Sequence, residues 1–133
     1  MSLKEEERKI VVALELEKAD KTLRQMEVQV KAQLWEMVAN RLYYALFHAV
    51  SAMLIHDSHE VGSHRGAVNR FSMHYVKTGI FTKAEGRLYS QLQGLREEGD
   101  YNCSMDVEQN EVEHYINPTI ELIEKIKNYI ANK

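Results

Sequence analysis

The feature that most constrains the fold is the apolar run from Val38 to Ile55, VANRLYYALFHAVSAMLI. At helical spacing its apolar residues form two stripes, which are Val38, Leu42, Ala45, Ala49 and Ala52, and Tyr43, Phe47, Val50 and Leu54. A helix that is apolar around most of its circumference is predicted to lie at the centre of a bundle. The run approaches the length of a membrane span, but the Arg41 and His48 inside it argue against one. We therefore expect a central helix in a protein that has no membrane partner.

The remaining edge of this helix is polar. Arg41, Tyr44, His48 and Ser51 recur at steps of three and four, which places them along one side. An arginine and a histidine are costly to bury unless they are paired or face a shared cleft. This edge is therefore the first place to look for function.

The sequence on either side predicts further helices. Two long stripes repeat the four-three spacing of a bundle seam: Val12, Leu16, Ala19, Leu23, Met26 and Val30, and Val112, Ile116, Thr119, Ile123, Ile126 and Ile130. A turn near Gln33 separates the first helix from the central one. Pro118 should kink the last helix or leave one of its hydrogen bonds unmade.

Capping signals divide the segment between these stripes. Ser63 is a plausible N-cap of a third helix, which Thr78-Gly79 would end, with the glycine in a left-handed conformation. Thr82 with Glu85 has the spacing of a capping box, and Gly99 is the natural stop of the fourth helix. Asp106 would then cap the last helix. The prediction is an all-α fold, an up-and-down four-helix bundle with a short extra helix.

Composition sets the broad class of the protein. A chain of 133 residues with 44% hydrophobic and 28% charged residues is predicted to form one soluble domain over residues 1–133. The formal net charge of −3 argues against a broad electrostatic grip on nucleic acid. A single cysteine and an N-terminus without an apolar signal segment favour the cytoplasm.

No cofactor or metal is predicted. The sequence has no glycine-rich loop of the phosphate-binding or dinucleotide type. His56-x-x-His59 lies in a loop without a clear partner cluster, and Glu111 and His114 supply only one of the two pairs that a di-metal bundle needs.

Two polar groups remain as candidate sites. In the first, Arg41 could hold a phosphate while His48 acts as general acid or base in RNA cleavage, with Tyr44 between them. Its structural alternative is an arginine paired with a carboxylate from another helix and a satisfied buried histidine. The second group is an anion-binding cleft at helix ends, formed by His64, Arg65, Arg96, Asp100 and Tyr101. Its alternative is an Arg–Asp or Arg–Tyr tether that fixes the loop.

The motifs resemble a known family. Residues 40–49 read N-R-L-Y-Y-A-L-F-H-A, residues 63–66 read S-H-R-G, Phe71 is followed by V-K-T-G at 76–79, and Arg96 is followed by x-x-G-D-Y. In this order, over roughly residues 35 to 130, they resemble the signatures of small stand-alone HEPN domains (higher eukaryotes and prokaryotes nucleotide-binding).

The resemblance implies an all-α bundle that is frequently a homodimer, and kinship with prokaryotic toxin–antitoxin and defence systems. Many members of the wider superfamily are metal-independent ribonucleases with an arginine and a histidine in a cleft shared by two subunits. Others bind nucleotides or act as partners of small nucleotidyltransferases. Leu42 here replaces the polar residue that often follows the arginine, and no histidine follows Arg96 at the spacing of that motif.

The working hypothesis is a homodimer that binds a nucleotide or RNA; if it cleaves RNA as an endoribonuclease or toxin component, Arg41 and His48 are the catalytic residues. Tyr44, His64, Arg65, Arg96, Asp100 and Tyr101 would line the nucleotide- or RNA-binding cleft. The rival hypothesis is a non-catalytic interaction module whose partner is a protein such as a nucleotidyltransferase. The net acidity of the chain mildly favours the rival.

Overall fold

The computed structural model describes residues 4–101 and 107–132, and for residues 98–101 the backbone alone. Its elements are α1 (Glu5–Lys31), α2 (Trp35–His56), α3 (His64–Phe71), a π-helical segment (Ser72–Val76), α4 (Lys83–Tyr101) and α5 (Gln109–Ala131). Four long helices and one short helix confirm the predicted all-α bundle, and the described residues contain no strand.

The pair α1 and α2 forms the largest contact in the bundle. The turn between them comes where it was predicted, and Gln33 adopts a positive φ of 58° there. The two helices are antiparallel, since Glu15 of α1 contacts His48 of α2 while Gln25 contacts Arg41. Both predicted seam stripes, on α1 and on α5, face the core: each member is buried or partly buried. The four-three spacing therefore identifies the packed faces correctly.

The central position of α2 is confirmed. Leu42, Ala45, Leu46, Ala49 and Val50 are fully buried among the other helices. By length and composition α2 is also the one described helix that could cross a membrane, but 67% of its apolar window is buried inside the bundle. That burial is usual for the core helix of a soluble protein.

Two of the predicted caps are present. The Ser63 side chain accepts a hydrogen bond from the Gly66 backbone N–H at 3.0 Å, which starts α3. Thr82 and Glu85 form the reciprocal capping box, with each backbone N–H donating to the other side chain. Gly79 has the expected positive φ, of 83°. Helix α3 does not run on to it as a regular α-helix, because the π-helical segment intervenes.

Two predicted boundaries at the other end are wrong. Helix α4 continues through Gly99 to Tyr101, because glycine costs a helix only about 1 kcal/mol and is no absolute stop. Helix α5 begins at Gln109, so Glu108 rather than Asp106 holds the cap position, and Glu111 accepts from the Glu108 backbone N–H at 3.5 Å. Asp106 itself lies outside the described residues.

Helix α5 runs through Pro118 without ending. Because the prolyl nitrogen carries no hydrogen, one helical hydrogen bond is missing at this point, as the sequence predicts.

A carboxylate ties three elements together at the end of the bundle where α2 finishes. Asp57 follows α2, and its Oδ2 accepts hydrogen bonds from the hydroxyls of Tyr75 at 2.8 Å and Tyr129 at 2.6 Å. Its Oδ1 lies 3.0 Å from Nδ1 of His56. The π-helical segment, the end of α2 and the end of α5 therefore meet on one acidic side chain.

Candidate functional site

His48 is held by a carboxylate from the neighbouring helix. Its Nδ1 lies 2.8 Å from Oε2 of Glu15, which is 33 residues earlier in the chain, and both side chains are largely buried. The hydrogen bond to His48 lowers the pKa of Glu15 despite the opposing effect of burial. Glu15 therefore stays ionised and fixes the imidazole edge, which leaves Nε2 as the ring nitrogen that can exchange a proton.

Arg41 lies two helical turns before His48 and is held by amides instead of by acids. Its Nε and Nη2 donate to the Asn40 side-chain oxygen at 3.0 and 2.6 Å, and its Nη1 donates to Gln25 Oε1 at 2.9 Å. Among the side chains that the structure describes, in residues 4–97 and 107–132, it makes no ion pair. Its geometry is thus fixed while its positive charge is not neutralised, which suits the binding of an anion.

Aromatic rings fill the space next to these two residues, in what we term the aromatic cluster: Tyr43, Tyr44, Phe47 and His64. The His64 ring lies 4.5 Å from Phe47 and 5.6 Å from Tyr44, measured between ring centroids. The Tyr43 hydroxyl is 2.9 Å from Nδ1 of His64. Tyr43 is buried, whereas the other three are partly exposed and can meet a ligand.

Arg96 joins the aromatic cluster from α4. Its guanidinium carbon is 4.9 Å from the centroid of the Tyr43 ring and 5.8 Å from that of Tyr44, and its Nη1 donates to the Tyr44 hydroxyl at 3.5 Å. The side chain is only 8% exposed, and it stacks on these two rings. It also adds a positive charge beneath the cluster.

Burial and charge together set the protonation of the cluster. Burial, followed by the charges of Arg96 and His48, lowers the pKa of His64, so its ring is neutral at pH 7. Burial raises the pKa of Tyr43 to about 12, so its hydroxyl stays protonated. A neutral tyrosine donating to a neutral imidazole therefore explains the short contact between Tyr43 and His64.

Two glycines near the start of α3 leave room for the Arg70 side chain: Gly62 in the preceding loop and Gly66 inside the helix. Gly62 has a φ of 69°, and a Cβ built there or on Gly66 would lie 2.6 Å from Nη1 of Arg70. That Nη1 also donates to the Val61 carbonyl at 3.2 Å. The Arg70 side chain thus passes against both glycines, and His64 is the first residue of the helix that this contact supports.

Arg65 and the end of α4 have a different arrangement. Arg65 forms a two-pronged ion pair with Glu97, with nitrogen–oxygen distances of 3.0 and 3.3 Å, and its side chain is 77% exposed. This contact is an arginine–glutamate pair between α3 and α4, and not the Arg–Asp or Arg–Tyr tether that was predicted as the alternative. The side chains of Asp100 and Tyr101 lie outside the described residues, so their predicted role stays a prediction.

The structure therefore brings Arg41, Tyr44, His48, His64 and Arg96 into one connected surface built by α2, α3 and α4. Ser51 is buried and does not belong to it. The residues that sequence reasoning missed are the ones that hold this surface in place: Glu15, Gln25 and Asn40. Asn40 is next to Arg41 in sequence and could have been suspected, whereas Glu15 and Gln25 look like ordinary polar positions of α1.

Among the side chains that the structure describes, in residues 4–97 and 107–132, no three His, Cys, Asp or Glu residues lie together as a metal-ligand group.

Comparison with known proteins shows which family the chain resembles. The HEPN domain family matches residues 12–129, a range that contains all four sequence motifs. A Thermotoga maritima protein named "UPF0332 protein" is 32% identical over 93 residues, which is 70% of this chain and 70% of that protein. A Methanocaldococcus jannaschii protein named "Putative toxin MJ0142" is 24% identical over 118 residues, 89% of this chain and 80% of that protein. Another, "Putative toxin MJ0605", is 26% identical over 112 residues, 84% of this chain and 83% of that protein.

Proposed function

The chain belongs to the HEPN domain family, as its motifs predict, and we propose that it is a metal-independent endoribonuclease of the toxin type. The observation that carries the proposal lies along one edge of α2: an arginine without an acidic partner among the described side chains, and a histidine held by a carboxylate. The first is suited to bind a phosphate and the second to move a proton. Two relatives carry the word toxin in their names, and cutting the cell's own RNA is a toxic activity.

Arg41 is the proposed phosphate clamp. Its partners Asn40 and Gln25 accept hydrogen bonds without neutralising the guanidinium, so an incoming phosphate does not have to displace a carboxylate. Phosphate contacts of this kind position a nucleic acid without reading its sequence.

His48 is the proposed proton-transfer group. With the Nδ1 proton directed at Glu15, Nε2 can accept the proton of an RNA 2′-hydroxyl. The 2′-oxygen then forms a bond to phosphorus while the bond from phosphorus to the 5′-oxygen breaks. The departing 5′-oxygen takes a proton from water or from an imidazolium. The products are a 2′,3′-cyclic phosphate and a 5′-hydroxyl, and no metal is required.

The aromatic cluster is the proposed contact for nucleobases. Tyr44, Phe47 and His64 are partly exposed, and bases stack on aromatic rings of this kind with little sequence preference. Contacts of this type also fit a chain of net charge −3, because stacking needs no broad basic surface.

The active form is proposed to be a cytoplasmic homodimer. Ile10 and Leu14, 60% and 51% exposed, lie on one face of α1 directly before Glu15, and a second copy would cover them. Covering that face would bring two copies of the Arg41–His48 edge close to one shared cleft.

A second candidate function is a non-catalytic module that binds a protein such as a nucleotidyltransferase. The hydrogen-bonded contact between His48 and Glu15 favours it, since a histidine held by a carboxylate is also what a purely structural role would need. The exposed apolar residues of α1 would then face that partner in place of a second copy.

The experiment is cleavage of a mixed-sequence RNA by the purified protein in EDTA, with His48→Ala and Arg41→Ala alongside. Cleavage by the wild type and its loss in both variants supports the ribonuclease, with each loss expected to be about 100-fold or more. Arg24→Ala, an exposed change elsewhere on the bundle, serves as the matched control and should keep full activity. No cleavage by the wild type, or equal cleavage by all variants, would leave the interaction module as the better account.

A further inference from the structure

Positive charge is concentrated in one part of the sequence. Of the 17 arginine and lysine residues and the 20 acidic residues of the chain, residues 61–96 contain six and one respectively. The rest of the chain is correspondingly acidic, so the overall charge of −3 conceals a basic region. A local concentration of positive charge attracts polyanions even when the whole protein is acidic.

The fold lays this region out as one surface, because α3 with the π-helical segment lies antiparallel to α4. At one end both elements contact the Tyr44 ring, with the His64 ring at 5.6 Å and the Arg96 guanidinium carbon at 5.8 Å from its centroid. At the other end a Cβ built on Gly86 of α4 would lie 3.1 Å from Cγ2 of Val76. The basic region therefore begins at the candidate site and extends away from it along two neighbouring elements.

The far end of this surface, beside the contact between Val76 and Gly86, carries what we term the basic patch: Lys77, Lys83 and Arg87. All three are exposed, and among the side chains of residues 4–97 and 107–132 none forms an ion pair with them. Lys83 and Arg87 are four residues apart in α4, so two like charges lie on one side of the helix, which is unfavourable. Charges that no described contact compensates are suited to bind an anion from outside the protein.

The acidic residues near this surface are held by other partners. Glu85 accepts hydrogen bonds from Lys125 of α5 at 2.8 Å and from the Thr82 backbone N–H at 2.7 Å. At the candidate site, Glu97 is paired with Arg65 at 3.0 Å. Neither carboxylate contacts the basic patch, so the patch keeps its positive charge.

The separation between the basic patch and the candidate site suits an RNA strand. Along α4, Arg87 precedes Arg96 by nine residues and Lys83 precedes it by thirteen. At about 1.5 Å per residue, their backbones lie about 14 and 20 Å from that of Arg96. Proteins that bind single strands commonly combine stacking rings with a basic groove that follows the backbone, over about 4 to 16 nucleotides. Here the aromatic cluster supplies the rings and the basic patch supplies the charge.

We infer that the basic patch binds the phosphates that flank the cut site, so that the preferred substrate is single-stranded RNA extending several nucleotides beyond the aromatic cluster. This inference rests on the proposed ribonuclease, because the ligand is the flanking part of the same RNA. Phosphate contacts of this kind strengthen binding without reading the sequence, and salt weakens them.

The test is binding of a fluorescein-labelled single-stranded RNA of about 12 nucleotides to the full-length protein, measured by fluorescence anisotropy. The probe carries 2′-O-methyl groups throughout, so it has no free 2′-hydroxyl to attack phosphorus, and binding is measured whether or not the protein cleaves RNA. Lys77→Gln, Lys83→Gln and Arg87→Gln should each weaken binding about threefold, and the triple patch variant on the order of 30-fold. Each change should also reduce the slope of log affinity against log salt by about 0.7.

A matched triple control variant removes the same amount of charge from α1. Lys21→Gln, Arg24→Gln and Lys31→Gln together replace three exposed residues and should weaken binding less than about twofold. A second control shortens the probe to about 4 nucleotides, which should weaken wild-type binding about tenfold and change binding by the triple patch variant little.

Failure of this inference and failure of the ribonuclease proposal give different results. No binding of the probe by the wild type, or binding that falls equally in both triple variants or in neither, would overturn the inference even if the wild type cleaves RNA. Wild-type binding that does not depend on probe length would also overturn it. Loss of binding in the triple patch variant alone would support the inference, and an absence of cleavage would then count against the ribonuclease only.

Discussion

Helix α2 carries two histidine–carboxylate pairs that look alike and differ in their surroundings. His48 meets Glu15 at 2.8 Å, and eight residues later His56 meets Asp57 at 3.0 Å. The second oxygen of Glu15 faces the exposed Lys18 at 3.5 Å. The second oxygen of Asp57 accepts two buried or partly buried tyrosine hydroxyls.

This difference distinguishes the pair in the candidate site, Glu15 with His48, from the pair that connects elements of the fold, Asp57 with His56. Burial and the bond to Asp57 raise the pKa of Tyr75 well above its usual value, so the hydroxyl keeps its proton and donates. Asp57 is therefore fully committed to holding three elements together. Glu15 touches one other helix, and its histidine stands on the same edge as Arg41, which has no acidic partner among the described residues. The Glu15–His48 pair is the one available for proton transfer in the proposed reaction, whereas the Asp57–His56 pair mainly stabilises the fold.

The largest effect should come from removing the two carboxylates in turn. Asp57→Ala removes the carboxylate that His56, Tyr75 and Tyr129 contact and should lower the free energy of unfolding by about 3 kcal/mol. Glu15→Ala removes one such bond and should cost about 1.5 kcal/mol. Urea denaturation of both variants measures the difference, and equal losses would mean that the two pairs play the same structural role.

The second largest effect is expected on the rate of RNA cleavage. Glu15→Gln keeps the shape of the side chain but no longer orients or stabilises a charged His48, so RNA cleavage should fall about tenfold to 100-fold with the fold intact. The matching change Asp57→Asn should affect stability more than the cleavage rate of the folded fraction. Steady-state kinetics with both variants compares them, and a cleavage rate unchanged by Glu15→Gln would remove this carboxylate from the mechanism.

A smaller effect is the response of stability to acid. The pKa of Glu15 is lowered by folding, so its contribution is fully present above the unfolded value of about 4.5 and is lost as the pH falls through the folded pKa. Glu15→Gln should therefore flatten the fall in unfolding free energy below that pH. Urea titrations from pH 6 to 3 would show it, and parallel curves for wild type and variant would contradict the assignment.

The smallest effect is expected on the pKa of His64. Burial is the main cause of its lowered pKa and the charge of Arg96 the next, so Arg96→Gln should raise the pKa of His64 only part of the way to its ordinary value. Since the unfolded chain takes up this proton first, the stability contributed by His64 falls as the pH drops below about 6.5. NMR titration of the His64 ring signals in the wild type and in Arg96→Gln measures this pKa. A pKa of His64 that does not move would place Arg96 outside its electrostatic environment.

The spacing of residues in the sequence was enough to predict the all-α fold and the α2 residues of the candidate site. The edge bearing Arg41, Tyr44 and His48 followed from helical periodicity, and Ser63 and Thr82 marked real helix starts. Glu15 and Gln25 could not be found this way, because charged residues beside a seam look the same whether they face water or a neighbouring histidine. The prediction that α4 stops at Gly99 was wrong because a glycine weakens a helix without necessarily ending it.

The most direct measurement is metal-free RNA cleavage in EDTA by two matched variants, His48→Ala and His56→Ala, with the ends of the products mapped. The account predicts that His48→Ala abolishes cleavage, that His56→Ala cleaves like the wild type, and that the products carry 2′,3′-cyclic phosphates. Equal activity of the two variants would contradict the assignment of chemistry to the Glu15–His48 pair.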